Sequence, residues 1–161
     1  MSKTPILYCD IDSTINDHWK RIQRNTVDGK CNWDKAFSKE EVMKDSPLPG
    51  AREAIEYLSK YYDVIFLTAR AFKNAESITK AWLSANNFVY YKLIVVNKSI
   101  DKLKYLINTD CIFIDDLSRK HESNPPYTVL YEDTIKLLDK FNVNYIRFKG
   151  SWEEVLNRFT K

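Results

Sequence analysis

Asp10 and Asp12 are two carboxylates one residue apart, and the hydroxyls of Ser13 and Thr14 follow them. They come straight after Ile6-Leu7-Tyr8-Cys9, a short apolar and aromatic run of the kind that forms a buried strand. Unpaired carboxylates are costly to bury, so the pair belongs at the strand's carboxyl end, in the crevice where open α/β sheets bind ligands. Three later apolar runs also stop at polar groups. Val64-Ile65-Phe66-Leu67 ends in Thr68, and residues 93–96 end in Asn97-Lys98-Ser99 with Lys102 just beyond. Cys111-Ile112-Phe113-Ile114 ends in Asp115-Asp116. In a parallel sheet joined by right-handed crossovers all these ends share one edge, so the groups can converge although they are far apart in sequence. Several carboxylates in one place need a cation between them, and an all-oxygen ligand set suits a hard ion such as Mg²⁺. A hydroxyl and an ammonium beside that ion make a site for phosphoryl oxygens, so the ensemble reads as phosphoryl transfer.

The elements that must position these groups follow from periodicity. Helices are expected over residues 51–61, 74–86, 100–107 and 134–141, each with an apolar stripe, and a last helix opens at the Ser151 and Glu154 capping box. Further strands are expected over 127–131 and 145–148. Near-continuous apolar strands alternating with helices imply a Rossmann-like α/β fold with a mostly parallel sheet of about five strands, the first in the middle, covered on both faces. Residues 15–47 break this rhythm and read as an insertion within a single domain spanning 1–161.

Composition narrows the class. With 161 residues, 44% hydrophobic and 29% charged, the chain suits one globular domain with a real core. A formal charge of +3 is too small to argue for nucleic acid by itself. No apolar run approaches membrane-spanning length and no secretion signal opens the sequence, so a cytoplasmic monomer or homodimer without a membrane partner is expected. Cys9, Cys31 and Cys111 lack metal-type spacing, and the expectation is reduced thiols.

The Asp10-Ile11-Asp12-Ser13-Thr14 segment, strand-terminal Thr68, a later Lys and the acidic pair Asp115-Asp116 resemble the four motifs of the haloacid dehalogenase (HAD) superfamily of phosphohydrolases. Pro49-Gly50-Ala51, Leu67-Thr68-Ala69-Arg70, Phe113-Ile114-Asp115-Asp116 and the 147–156 segment with Trp152 are similar to its 5'-deoxyribonucleotidase-like branch. The resemblance implies a three-layer fold in which Asp10 attacks phosphorus to form an aspartyl-phosphate, and Asp12 protonates the leaving oxygen and then activates water. For that, Asp12 needs its pKa raised by roughly 3 units, which bound phosphate and a closed cap would have to supply. Thr68 and a lysine, Lys102 in preference to Lys98, would hold the phosphoryl group. Asp10, the backbone carbonyl of Asp12 and one or both of Asp115 and Asp116 would hold Mg²⁺. The family usually has Gly where this chain has Ser13.

An insert after the first motif forms a cap in this superfamily, so residues 15–47 are expected to make a small helical one. Asn16, Asp17 and Trp19 are the candidates for substrate contact, with Trp33 and Phe37 as possible stacking rings. The plainer reading is that these aromatics hold the cap together while its Lys and Arg cover the outer face. His18 and His121 read as surface residues, Arg70 has no spacing partner, and Trp82 and Trp152 read as packing anchors. Three functions are compatible with this pattern: a Mg²⁺-dependent phosphatase on nucleoside monophosphates, a phosphatase on nucleic-acid 3'-phosphate ends, and a non-catalytic binding protein with the same fold.

Overall fold

The computed structural model describes residues 4–118 and 129–159. Its centre is a five-stranded parallel sheet: β1 (Ile6–Cys9), β4 (Asp63–Ala69), β5 (Lys92–Val96), β6 (Cys111–Asp115) and β7 (Asn144–Arg147), in the order β5-β4-β1-β6-β7. The first strand is in the middle, as its apolar run requires. It pairs with β4 from Ile6–Asp63 to Cys9–Phe66 and with β6 from Ile6–Cys111 to Cys9–Ile114. Asp10 continues the ladder by donating its N–H to the Ile114 carbonyl at 2.9 Å.

Alternation along the strands divides the core in two. Leu7, Cys9 and Phe66 pack on one side with α4 (Ala51–Leu58), α5 (Ala75–Ala85) and α8 (Trp152–Asn157). Tyr8, Ile65, Leu67 and Phe113 pack on the other with α6 (Leu103–Leu106) and α7 (Glu132–Lys140). Helices on both faces of a parallel sheet make the expected three layers. Trp82 and Trp152 are packing anchors with a polar task besides. Each is buried, and their indole N–H groups donate to the Asp45 and Thr14 carbonyls at 3.0 and 2.8 Å.

Three expectations shift. The helix expected over 100–107 begins as a 3₁₀ turn, Ser99–Lys102, before α6. The strand expected over 127–131 is reduced, within the described residues, to a Ser118–Leu130 bridge, because Tyr131 already caps α7; residues 127 and 128 lie outside them, as does His121. Finally, the insertion is not purely helical. It holds α1 (His18–Arg24), a hairpin of β2 (Thr26–Val27) and β3 (Lys30–Cys31), α2 (Trp33–Ala36) and α3 (Lys39–Val42). The hairpin escapes periodicity because two-residue strands have none to show; Asp28 and Gly29, both at positive φ, make its turn.

Glu41 ties the insertion together. Its buried carboxylate accepts from Lys44 Nζ at 2.6 Å, Asn25 Nδ2 at 2.8 Å and Arg24 Nε at 3.2 Å. These partners, Lys44 first, hold it at about 2, below the ordinary 4.5. A depressed carboxyl contributes stability above its unfolded pKa and loses it as pH falls through the folded one. We expect Glu41→Gln to cost about 1–2 kcal/mol at pH 6, the Lys44 and Arg24 side being open to solvent, and the difference from wild type to vanish between pH 4.5 and 2 in denaturant titrations. A cost independent of pH would show that Glu41 acts through packing alone.

Candidate active site

The strand ends deliver the acidic groups to one place. Asp10, Asp115 and Asp116 are all buried, and one oxygen from each lies within 4.8 Å of the others. Lys102 enters from the end of the 3₁₀ turn, donating to Asp10 Oδ1 at 3.0 Å and to Asp115 Oδ2 at 2.7 Å. Thr14 closes the other side: its hydroxyl lies 3.1 Å from both Asp10 Oδ2 and Asp116 Oδ1 and accepts the Asp116 N–H at 3.2 Å. The Leu117 N–H and the Ser118 hydroxyl donate to Asp115 and Asp116 at 2.8 and 2.6 Å. Lys98, by contrast, is exposed and lines a groove at the end of β5 without meeting these carboxylates.

Electrostatics distinguish the acids. Burial, and then the charge on Asp115, pushes Asp10 up to about 6 although Lys102 opposes it. Burial, with Asp10 and Asp115, pushes Asp116 well above the carboxylate range. Burial alone would lower the Lys102 ammonium, but Asp10 and Asp115 more than reverse it. One lysine therefore leaves the trio short of positive charge. The oxygen-only donor set and that residual repulsion fit a hard divalent ion held by Asp10, Asp115 or Asp116.

Asp12 stands apart in a second cluster. Arg70 grips it with two bonds, Nε to Oδ2 at 3.1 Å and Nη2 to Oδ1 at 2.8 Å. Arg21 from α1 approaches Oδ1 at 3.7 Å, and Asn16 Nδ2 donates to Asp12 at 3.1 Å and to Asp45 at 2.9 Å. Burial would raise the Asp12 carboxyl, but Arg70, His18 and Arg21 hold it well below its ordinary value. A general acid needs the opposite shift, so this geometry presents Asp12 as a carboxylate. Asp45 also pairs with Arg21 at 3.2 Å, yet burial pushes it up to about 7.

Thr68 lies at the end of β4, fully buried, and its hydroxyl has no hydrogen-bond partner among the described residues. Such a group is suited to a ligand oxygen. Ser13 sits at φ +65°, the backbone shape that explains the usual Gly; its hydroxyl meets His18 Nδ1 at 2.9 Å, and its N–H donates to Asn16 Oδ1 at 3.1 Å. His18, expected at the surface, is therefore buried. Asp17 caps α1, accepting the Lys20 N–H at 3.4 Å. Asn16, Asp17 and Trp19 line a cavity of about 420 Å³ beside Asp116, Arg147 and Lys149. A larger one, about 720 Å³, opens over Asp12, Arg70 and Lys98.

Sequence alone gives Arg70 no partner and marks neither Arg21 nor Asp45. Arg70 stands two residues after Thr68 with no local partner, because its partner is 58 residues away. Arg21 is one of many basic residues in the insertion, distinguished only by lying on the same helix face as His18 and Ile22. Asp45 carries no sequence signal at all.

Comparison with solved structures places the fold. The chain matches the class C acid phosphatase from Bacillus anthracis with tungstate bound at 20% identity and TM-score 0.61, over 100% of this chain and 75% of that one. It matches the HAD-hydrolase YfnB from Bacillus subtilis, bound to magnesium, at 10% identity and TM-score 0.59, over 99% and 100%. A chain of the Pnkp1/Rnl/Hen1 complex is similar at 13% identity and TM-score 0.55; the match covers 92% of this chain and only 47% of that one. No protein-family model matches the sequence, and no curated protein is significantly similar to it. The chain has the fold of the haloacid dehalogenase-like hydrolases.

Proposed function

We propose that the protein is a Mg²⁺-dependent phosphomonoester hydrolase that works through an aspartyl-phosphate on Asp10 and takes nucleotides. The observation that carries this reading is the convergence of Asp10, Lys102, Asp115 and Asp116 at the carboxyl edge of the sheet. Asp10 is the nucleophile. Its Oδ1 is held by Lys102 and its Oδ2 by Thr14, which fixes the carboxylate for attack. Lys102 neutralises charge on Asp10 and on the incoming phosphoryl oxygens, and Thr68 offers a hydroxyl to them. When bound, Mg²⁺ held by Asp10, the Asp12 carbonyl and Asp115 or Asp116 supplies the charge that offsets carboxylates and phosphoryl group together. As Asp10 bonds to phosphorus the ester P–O bond breaks, and because Asp12 is ionised in the Arg70 grip the leaving oxygen takes its proton from solvent; Asp12 then accepts a proton from the water that hydrolyses the aspartyl-phosphate.

A second reading, hydrolysis of a 3'-phosphate on a nucleic-acid end, gains support from the similarity to the Pnkp1/Rnl/Hen1 chain and from the large groove over Asp12. Both readings are tested by phosphate release from 5'- and 3'-mononucleotides, sugar phosphates and 3'-phosphorylated oligonucleotides. We expect activity with Mg²⁺, its loss in EDTA and its return when Mg²⁺ is added back. A folded protein inert on every substrate with Mg²⁺ present would favour a binding role.

A further inference from the structure

The groove over Asp12 does not end where a mononucleotide would. Its walls include Phe37, Ala71 and Phe72, and the same three residues line a second cavity of about 600 Å³ that runs on past Trp33, Lys39 and Lys73. The first cavity alone, about 720 Å³, lies within the roughly 300–1,000 Å³ of a complete small-ligand site. The second therefore extends the site beyond what one nucleotide needs.

An aromatic series marks the route outward from Asp12. Arg70, which grips Asp12, has its guanidinium 5.8 Å from the Phe72 ring centre; Phe72 stacks on Phe37 at 5.1 Å, and Phe37 on Trp33 at 5.9 Å and 13°. Arg21 lies 5.2 Å from the Phe37 centre, so the two inner rings are held by buried cations. Trp33 at the far end is 45% exposed. Charge favours the same direction. In the first cavity Asp12, Glu132 and Asp133 outnumber Arg70 and Lys98, whereas in the second Lys39 and Lys73 outnumber Asp34. The stack occupies the faces between its rings, so the ring surface open to a base is that of Trp33; an exposed indole beside exposed lysines offers a single strand a platform for an unstacked base and cations for its backbone.

We propose that the Phe72–Phe37–Trp33 series with Lys39 and Lys73 is a track for a single-stranded polynucleotide whose terminal phosphate lies at Asp10, the rest of the strand leaving past Trp33. This rests on the phosphatase reading above and narrows its substrate to the end of a strand.

Two measurements on the whole protein separate the track from the chemistry. The first is phosphate release with Mg²⁺ from 3'-phosphorylated oligo(dT) of one to six nucleotides. Expected is a rise in kcat/KM of about tenfold or more between one and four nucleotides, carried mainly by KM. Trp33→Ala and Lys73→Glu should each remove most of that rise, and added salt should flatten it. The second is binding of a fluorescein-labelled, unphosphorylated dT hexamer in EDTA, where no turnover intervenes, with the same hexamer in duplex as competitor. Binding of the single strand, weakened in Trp33→Ala, supports the track even if no substrate is turned over, a result that would overturn the phosphatase reading alone. Equal kcat/KM at every length, or binding untouched by both substitutions or stronger for the duplex, overturns the track and leaves a mononucleotide phosphatase standing.

Discussion

Asp10→Asn releases phosphate at least ~10⁴-fold more slowly than wild type with Mg²⁺ saturating, and its melting temperature does not fall. The two halves of this expectation have separate causes. An amide cannot form the acyl-phosphate, so the covalent route is closed whatever else the site provides. Yet the carboxylate it replaces is crowded, pushed up to about 6 by burial and by Asp115. Removing one of three like charges that Lys102 only partly offsets relieves repulsion in the metal-free protein, and the amide oxygen still accepts from Lys102. Active sites commonly hold such strained electrostatics at the expense of stability. Initial rates on the best substrate beside thermal melts in EDTA check both halves; activity within about tenfold of wild type would rule out Asp10 as the nucleophile.

Lys102→Met has the opposite signature, damaging fold and function together. Methionine keeps the side-chain length and the contact with the Phe113 ring, near which Nζ now lies at 5.8 Å, but leaves Asp10 and Asp115 buried without a cation. Removing one partner of a buried ion pair costs about 3–5 kcal/mol, a large share of a small domain's stability. Mg²⁺ should restore part of it, so the melting temperature of Lys102→Met should rise more steeply with Mg²⁺ than that of wild type. Turnover at saturating Mg²⁺ should still fall by about 10²–10³-fold, the scale of one lost donor at a developing anion. Lys98→Met, on the exposed groove wall, should change stability by less than about 0.5 kcal/mol. Equal stability losses for the two lysines would contradict the geometry.

The acidic centre could be read from sequence because each of its members ends a strand. Apolar runs announce strands, parallel strands share an edge, and Asp10, Asp115 and Asp116 follow their runs without a gap. Between Lys98 and Lys102 the helix-borne spacing before the acidic strand favours the latter, and it is Lys102 that meets Asp10 and Asp115. What sequence concealed is the second cluster. Asp12 and Arg70 follow the paired strands β1 and β4, but Arg21 and Asp45 belong to the 15–47 insertion, and their part depends on how it lies against the sheet, which no periodicity encodes. His18 was obscured for a related reason: a polar side chain in a polar stretch gives no sign that it turns inward to Ser13. In the free site the direction of the Asp12 shift is downward, set by Arg70, His18 and Arg21, whose location is a tertiary fact.

The indole of Trp152 binds the Thr14 carbonyl across 138 positions of sequence, and Thr14 in turn orders Asp10 and Asp116. During synthesis Asp10 leaves the ribosome long before Trp152, the residue that fastens its loop. Local contacts form on microsecond scales, but ribosomes add only about 5–20 residues per second. Over the several seconds between, β1 gains its β6 neighbour first and this clasp only with α8. A chain stalled before α8 would keep every acidic residue of the centre and lack the clasp that sets their loop, so we expect the onset of phosphate release on a nascent chain to report the docking of α8.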